Sequence, residues 1–84
     1  MGGALVRLGV FAPGQYHWHR HQQEDESFLV LQGGIQIELE GHPTVELAPR
    51  QAFSVPAGRR HRPVVSEPSV VLMIEKAGVV PTGS

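Results

Sequence analysis

The chain has 84 residues, and its seven lysines and arginines nearly balance its eight aspartates and glutamates, which leaves a formal charge of −1. That length suits one domain, and the near-neutral charge excludes a basic surface for nucleic acid. The absence of cysteine excludes disulfides and thiolate metal sites. The apolar runs are too short for a membrane span and no secretory signal is recognisable, so we expect a cytoplasmic protein.

The predicted elements are short runs with period-two alternation, separated by glycine and proline. Such runs are typical of an antiparallel sandwich or barrel. Residues 35–40 alternate apolar and polar without a fault, and the continuous apolar run at 70–74 predicts a strand covered on both faces. The predicted strands, in chain order, cover residues 4–11, 15–21, 27–31, 35–40, 44–47, 52–55, 61–65 and 70–75.

Three of the five histidines lie in the second predicted strand. Alternate residues of a strand share a face, so His17, His19 and His21 would project together, opposite Tyr16 and Trp18. Neighbouring side chains on that face are about 7 Å apart at their bases, so two imidazoles can converge on one ion. The outer pair is about 13 Å apart, so we do not expect all three histidines to bind the same ion.

Two further residues are candidates for completing a metal site. The polar segment 22–25 predicts a hairpin loop, which makes Glu26 the first residue of the returning strand, with Phe28 facing inward beside it. A carboxylate completes a histidine-rich site for iron, manganese, nickel or zinc. His61 follows the turn at 56–58 and begins another strand, which can bring it across the sheet.

The spacing of these residues matches two known motifs. His19, His21, Glu26 and Gly33 fit HxHxxxxExxxxxxG, and residues 56–61 fit PxGxxH. In this the chain resembles the cupin superfamily, and most closely the small single-domain cupins labelled mannose-6-phosphate-isomerase-like. The resemblance implies an all-β fold, the cupin double-stranded β-helix or jelly-roll barrel, in a single domain over residues 1–84.

Within that domain, the resemblance places motif 1 at about 14–33, an intermotif stretch at 34–50, motif 2 at about 51–65 and a C-terminal tail at 76–84. It implies one divalent metal ion (iron, manganese, nickel or zinc). The implied ligands are His19, His21, Glu26 and His61, and the residues expected to line the pocket or to support the ligands are His17, Phe28 and Phe53.

A second register of the first motif stays open. With His17, His19 and Glu24 as ligands the HxHxxxxE spacing is kept, but Gly33 is then misplaced by two residues. The sequence also departs from the family pattern at three turn or packing positions. Pro13 and Arg50 stand where the family usually has glycine, and Val65 stands where it usually has asparagine.

Two kinds of function follow from this interpretation. One is a metal-dependent enzyme, an oxygenase or an isomerase, whose ion polarises a small polar or acidic substrate in the barrel pocket. The alternative is a non-catalytic protein that binds or senses a metal or a small molecule. A core this small favours a homodimer, with Trp18 at the interface or against the N-terminal strand. We expect His42 to be an exposed loop residue and residues 59–62 to form a solvated hairpin tip.

Overall fold

The computed structural model describes residues 3–20, 25–76 and 82–83, and it describes the side chains of all of these except residues 19, 20, 76, 82 and 83. The described part of the chain is all β and contains no helix. Its strands are β1 (Ala4–Phe11), β2 (Gly14–Gln15), β3 (His19–Arg20), β4 (Glu26–Gln32), β5 (Ile35–Leu39), β6 (His42–Leu47), β7 (Ala52–Val55), β8 (His61–Val65), β9 (Ser69–Lys76) and β10 (Thr82–Gly83).

These strands form two antiparallel sheets. The first sheet has the order β1-β9-β4-β7, and the second has the order β10-β3-β8-β5-β6, with β2 also paired to β8. Non-consecutive strands are neighbours in both sheets, as a jelly roll requires. The predicted all-β jelly-roll barrel in a single domain is therefore confirmed. The core between the sheets consists of Phe28, Val30, Ile35, Ile37, Leu39, Leu47, Val55, Val65 and Val71.

The strand β4 shows how the alternation of the sequence builds this core. Glu26, Phe28 and Val30 are buried, whereas the residues between them are less buried and point to the outer face. Phe53 and Met73, from the neighbouring strands β7 and β9, pack against the same core. The predicted inward face of β4 is thus confirmed.

The predicted strand at 15–21 is wrong as a single element. Gln15 pairs with Val64 and His19 pairs with His61, so four steps along this strand match three steps along β8. That mismatch is a β-bulge, which adds one residue and breaks the alternation of faces. Tyr16 accordingly packs against the core, where the sequence predicted it to face away from the histidines.

The end of the chain also differs from the prediction of a tail at 76–84. Lys76 is the last residue of β9. Thr82 and Gly83 pair antiparallel with Arg20 and His19, so β10 is the edge strand beside β3. A pairing of two residues carries no periodic pattern that a sequence could show.

Gly33 and Arg50 are two of the positions that have a left-handed backbone. Gly33 has φ 79°, and a Cβ atom there would lie 2.4 Å from the Ser69 hydroxyl oxygen and 2.5 Å from the Pro68 carbonyl oxygen. Arg50 has φ 70°, and it is the one non-glycine residue with a positive φ among those described. Glycine adopts such a backbone without steric cost, which explains why the family usually has glycine here. The arginine adopts the same backbone at a steric cost.

The segment 59–62 is not the solvated hairpin tip that the sequence predicts. The guanidinium carbons of Arg60 and Arg62 lie 5.5 Å and 4.9 Å from the centre of the half-buried Trp18 ring. The Arg62 Nε atom also lies 2.6 Å from the Glu38 Oε1 atom. On the outer side of the second sheet, the two guanidinium groups therefore interact with the Trp18 ring, and that of Arg62 also interacts with the Glu38 carboxylate.

His42 is exposed, as predicted, but it begins β6 instead of lying in a loop. No helix in the described residues has both the length and the apolar character to cross a membrane.

Candidate metal centre

One residue from each sheet defines the candidate site. Glu26 begins β4 in the first sheet and His61 begins β8 in the second. Both side chains face the interior and are buried, with 3% and 1% of the residue exposed. The Glu26 Oε1 atom lies 3.2 Å from the His61 Nε2 atom. The fold thus brings together two predicted ligands that are 35 residues apart in the sequence.

The second nitrogen of His61 indicates what this pair can hold. Its Nδ1 atom lies 3.0 Å from the carbonyl oxygen of Arg59, which accepts a hydrogen bond from Nδ1–H. In a neutral imidazole, Nε2 then carries a lone pair directed at the carboxylate oxygen. Two lone pairs that face each other in a buried site require a cation between them, either a proton or a metal ion.

The separation of the two donor atoms fits a metal ion. Nitrogen and oxygen ligands bind first-row divalent ions at about 2.1 Å, so two such atoms on one ion are about 3.0 Å apart at octahedral angles and about 3.4 Å apart at tetrahedral angles. The observed 3.2 Å lies within that interval. The fixed imidazole, the nearby carboxylate and their burial therefore form a suitable part of a metal site.

Two charged residues that the sequence analysis missed lie next to this pair. The Arg7 Nη2 atom is 3.0 Å from the Glu75 Oε1 atom and 3.8 Å from the Glu26 Oε2 atom. Glu75 is buried, whereas the Arg7 side chain is 43% exposed. Among the described side chains at this point, two carboxylates lie near one guanidinium, an arrangement that favours a bound cation. Their phase on the strands was a usable signal, because Arg7 shares its face of β1 with the inward-facing Phe11 and Glu75 shares its face of β9 with the buried Val71.

A loop contact helps to hold the site together. The Asp25 carboxylate accepts a hydrogen bond of 2.9 Å from the backbone N–H of Ala57. Asp25 immediately precedes Glu26, and Ala57 belongs to the turn that leads to His61. The bond therefore ties the start of β4 to the segment before β8. The sequence predicts only a hairpin loop at 22–25. Asp25 is exposed, as expected in a loop, but its carboxylate also links the start of β4 to the turn before β8.

The remaining predicted ligands are described less completely. His19 is the backbone partner of His61 across the β3–β8 pair, and its side chain is not described. His21 and Glu24 lie outside the described residues. His17 is exposed, in the irregular segment between β2 and β3. Across the described side chains there is no group of three histidine, aspartate or glutamate residues arranged to bind a metal.

Aromatic side chains border the pair. The Phe28 ring lies edge-on to the His61 ring, with centroids 5.9 Å apart. Phe53, one strand away, lies 6.3 Å from the His42 ring. Phe28 thus lies beside His61, and its ring reduces access of water to that imidazole.

A separate groove of about 290 Å³ lies away from these residues. It is formed by the loops at the other end of the strands, and its lining includes Gly34, Ala48, Gln51 and Ser66. Neither Glu26 nor His61 lines it, so it is distinct from the candidate metal centre.

An all-β jelly-roll barrel with a buried histidine and a buried carboxylate close together in its interior defines a class of small barrel proteins. Comparison with protein families places the chain within that class. The family model Cupin_2, described as "Cupin domain", matches residues 7–75, most of the chain. The protein belongs to the cupin-domain family.

Individual relatives agree with this assignment. "Uncharacterized protein YdbB" of Bacillus subtilis (strain 168) is 40% identical over 57 residues, which are 68% of this chain and 50% of that protein. The chain therefore spans about half the length of this curated relative. The structure of KdgF from Halomonas sp. is similar with a TM-score of 0.79 and 29% identity, over 90% of this chain and 71% of that one.

A third similar structure comes from a study of the DMSP lyases RdDddP and RnDddQII. Its TM-score is 0.87 at 27% identity, and the match covers all of this chain but 45% of the other. The cupin fold thus recurs as about half of a longer chain in a lyase structure.

Proposed function

We propose that the protein binds one divalent transition-metal ion, iron, manganese, nickel or zinc, and holds a small polar or acidic molecule beside it in the barrel. The ligands of the proposal are Glu26, His61, His19 and His21. The contact between Glu26 Oε1 and His61 Nε2 carries the proposal, because two buried lone-pair donors at 3.2 Å match the spacing of two ligands on one ion.

The backbone supports a place for His19 among the ligands. His19 lies directly opposite His61 in the β3–β8 pair, and directly opposite residues are the closest neighbours across a ladder. His21 is two residues further along the same chain segment, at the spacing the cupin motif requires. Four protein ligands on an ion that prefers six leave two positions for water or an exogenous molecule.

A bound ion would act as a Lewis acid toward an oxygen of the small molecule. This chain's own residues would set the surroundings of that chemistry. The carbonyl of Arg59 fixes the tautomer of His61, the ring of Phe28 limits the access of water, and Glu75 balances the charge of Arg7. We propose an isomerase, an oxygenase or a lyase activity, the last because a similar structure contains DMSP lyases.

Metal analysis of protein purified without a histidine tag tests the proposal. We expect about one ion per chain in the wild type and a nearly metal-free protein after Glu26→Gln, which keeps the size of the side chain and removes its charge. The His21→Ala variant should also lose the ion. A fully loaded Glu26→Gln variant would contradict the proposed site.

Two histidine variants serve as controls. His42→Ala removes an exposed imidazole from β6 and should leave the metal content unchanged. His17→Ala separates the two registers of the motif: it keeps the ion if His21 is a ligand and loses it if the ligands are His17, His19 and Glu24.

Activity assays distinguish the enzyme from the alternative, a non-catalytic metal-binding or small-molecule-sensing cupin. The metal-loaded protein would be tested for oxygen consumption with Fe(II), and for isomerisation and elimination of small hydroxy, keto and carboxylic acids. Turnover that disappears in Glu26→Gln identifies an enzyme. Binding of such acids without turnover, measured by calorimetry, identifies the non-catalytic protein.

A further inference from the structure

His42 belongs to the inner face of the second sheet. It pairs with Leu39 of β5, and Leu39 is buried. The neighbouring pair in the ladder joins Ile37 to Val45, so two steps along β5 match three steps along β6. That mismatch is a β-bulge, which changes the phase of β6 between Val45 and His42. Directly opposite residues share a face, so the imidazole lies on the same face as the Leu39 side chain.

A ring contact with the first sheet agrees with this orientation. His42 lies on β6 and Phe53 on β7, which are edge strands of the two sheets. Their ring centroids are 6.3 Å apart, with the ring planes tilted by 48°. Phe53 packs against the core and pairs with Phe28 of β4, so it faces the interior. His42 is therefore located where the two sheets approach each other, and it is exposed to solvent there.

The same row of the second sheet contains the candidate metal ligand of β8. Leu39 is paired with His61 on one side and with His42 on the other. Adjacent strands are about 4.8 Å apart, so the backbones of His42 and His61 are about 10 Å apart, with the aliphatic side chain of Leu39 between them. Phe28 and Phe53 face this row from the first sheet, because Phe28 contacts the His61 ring and Phe53 contacts the His42 ring.

The hydrogen bonding of His42 indicates which chemical group it can recognise. The Pro43 carbonyl oxygen accepts a hydrogen bond of 2.7 Å from the Nδ1–H of His42. In the neutral imidazole, Nε2 then carries a lone pair and acts as an acceptor. A hydroxyl group can donate a hydrogen bond to that lone pair, whereas a carboxylate cannot. The apolar surfaces of Leu39 and Phe53 suit the carbon chain of a small molecule.

We infer that His42 binds the hydroxyl end of a small hydroxy acid whose carboxylate end is held at the metal centre. The inference rests on the proposed metal site and adds to it the residue that selects the molecule. Contacts of about 2–3 Å at both ends of the separation of about 10 Å leave roughly 5 Å for the molecule, which is the length of a short hydroxy acid. Its carbon chain would lie against Leu39 and Phe53.

Calorimetric titration of the metal-loaded protein tests this inference with two acids that differ in one group. γ-Hydroxybutyrate carries a hydroxyl at the end of its chain, and butyrate does not. We expect the wild type to bind the hydroxy acid about fivefold more tightly, which is the contribution of one hydrogen bond. His42→Phe keeps an aromatic ring beside Phe53 and removes the acceptor, so it should bind the two acids equally.

Two further variants separate the hydroxyl contact from other effects. Phe53→Leu reduces the apolar surface and should weaken the binding of both acids, while the preference for the hydroxy acid remains. Glu46→Gln changes an exposed residue of β6 that is paired with the exposed Gln36, and it should bind both acids as the wild type does. The metal content of every variant is measured first, so that loss of the ion is not mistaken for loss of the His42 contact.

Nitrogen NMR supplies a readout that does not depend on affinity. A hydrogen bond from the hydroxyl of the acid changes the chemical shift of the His42 Nε2 atom. Saturating γ-hydroxybutyrate should therefore move this signal, and saturating butyrate should leave it close to its position without ligand.

Three results would overturn the inference. A metal-loaded wild type that binds neither acid, or binds both equally, would reject the role of His42 and leave the metal site intact. A metal-loaded His42→Phe variant that keeps the preference for γ-hydroxybutyrate would assign the hydroxyl contact to another residue. A wild-type chain that holds no ion would contradict the proposed function, and the inference would fail with it.

Discussion

At the scale of single residues, neighbouring groups explain the backbone conformation of Arg50 and the position of the Arg7 charge. Arg50 adopts φ 70° at a turn where the backbone N–H donates a hydrogen bond of 2.7 Å to the carbonyl of Val30. The turn geometry is therefore fixed by the fold, and the arginine must accept it. Arg7 lies between two inward-facing carboxylates, those of Glu26 and Glu75, whose mutual repulsion it reduces.

Replacing Arg50 by glycine should stabilise the protein. A left-handed backbone costs a non-glycine residue about 1–2 kcal/mol, and glycine avoids that cost. The larger conformational entropy of glycine in the unfolded chain offsets about half of this stabilisation. We expect the free energy of unfolding to rise by roughly 0.5–1 kcal/mol, measured by urea denaturation. Gly33→Ala is the opposite case: its Cβ atom would overlap the Ser69 hydroxyl, so it should be clearly destabilising. A lower stability for Arg50→Gly would contradict the strain argument.

Replacing Arg7 by methionine should have two opposite effects. Without added metal, the unfolding free energy should fall by about 1–2 kcal/mol, because Glu26 and Glu75 lose a shared counter-charge that solvent already screens in part. A divalent ion should bind about tenfold more tightly, because a nearby positive charge has been removed. Calorimetric titration measures the second effect, and Arg7→Lys, which keeps the charge, is the control. Equal affinities for wild type and Arg7→Met would show that the ion does not sense Arg7.

At the scale of elements, the candidate site depends on how the starts of β4 and β8 are held together. Neither strand alone positions a ligand pair, since Glu26 and His61 belong to different sheets. The bond between the Asp25 carboxylate and the Ala57 N–H links the two strand starts outside the barrel. The β-bulge between β2 and β3 acts on the same region, because it determines that the backbone of His19 lies opposite His61.

The Asp25→Ala variant tests the role of this link. Loss of one side-chain to backbone hydrogen bond at an exposed turn should lower the unfolding free energy by about 1 kcal/mol. We also expect weaker metal binding, because the separation of Glu26 and His61 would be less well defined. Asp25→Asn keeps an acceptor oxygen and should resemble the wild type in both measurements. If Asp25→Ala unfolds at the wild-type urea concentration, the bond has no structural importance.

At the scale of the whole molecule, a domain of 84 residues has a small core, so a bound ion would contribute a large share of its stability. The carboxylates of Glu26 and Glu75 are buried in that core beside Arg7, and a bound ion would neutralise part of their charge. We therefore expect the metal-free chain to be less stable than the metal-bound chain.

Metal loading should therefore raise the melting temperature strongly. At an ion concentration about 100-fold above the dissociation constant, binding adds about 2.7 kcal/mol, which corresponds to a rise of about 10–20 °C for a domain of this size. Scanning calorimetry with the ion and then with excess chelator measures the rise and its reversal. The Glu26→Gln variant should show little change under the same conditions. An equal rise in that variant would indicate that the ion binds elsewhere.

The amino-acid sequence by itself determined most of the strands, the inward face of β4 and the family. Period-two alternation specifies which side of a strand is buried, and the predicted strands at 4–11, 52–55 and 61–65 agree with β1, β7 and β8 residue for residue. The motif spacing also paired Glu26 with His61, and the structure brings these two residues together. The roles of His19 and His21 as ligands remain predictions.

Only the tertiary structure decided which residues meet across the barrel. The bulge after Gln15, the ion pair of Arg7 with Glu75 and the pairing of β10 with β3 all depend on register between segments far apart in the sequence. Alternation along one strand predicts which face of the sheet a residue lies on. It does not predict the residue's partner on another strand, because that partner depends on how the strands of the two sheets are arranged. The aliphatic residues on the outer side of the first sheet are the clearest case, because Leu8, Leu72 and Leu29 become neighbours only when three separate strands lie side by side.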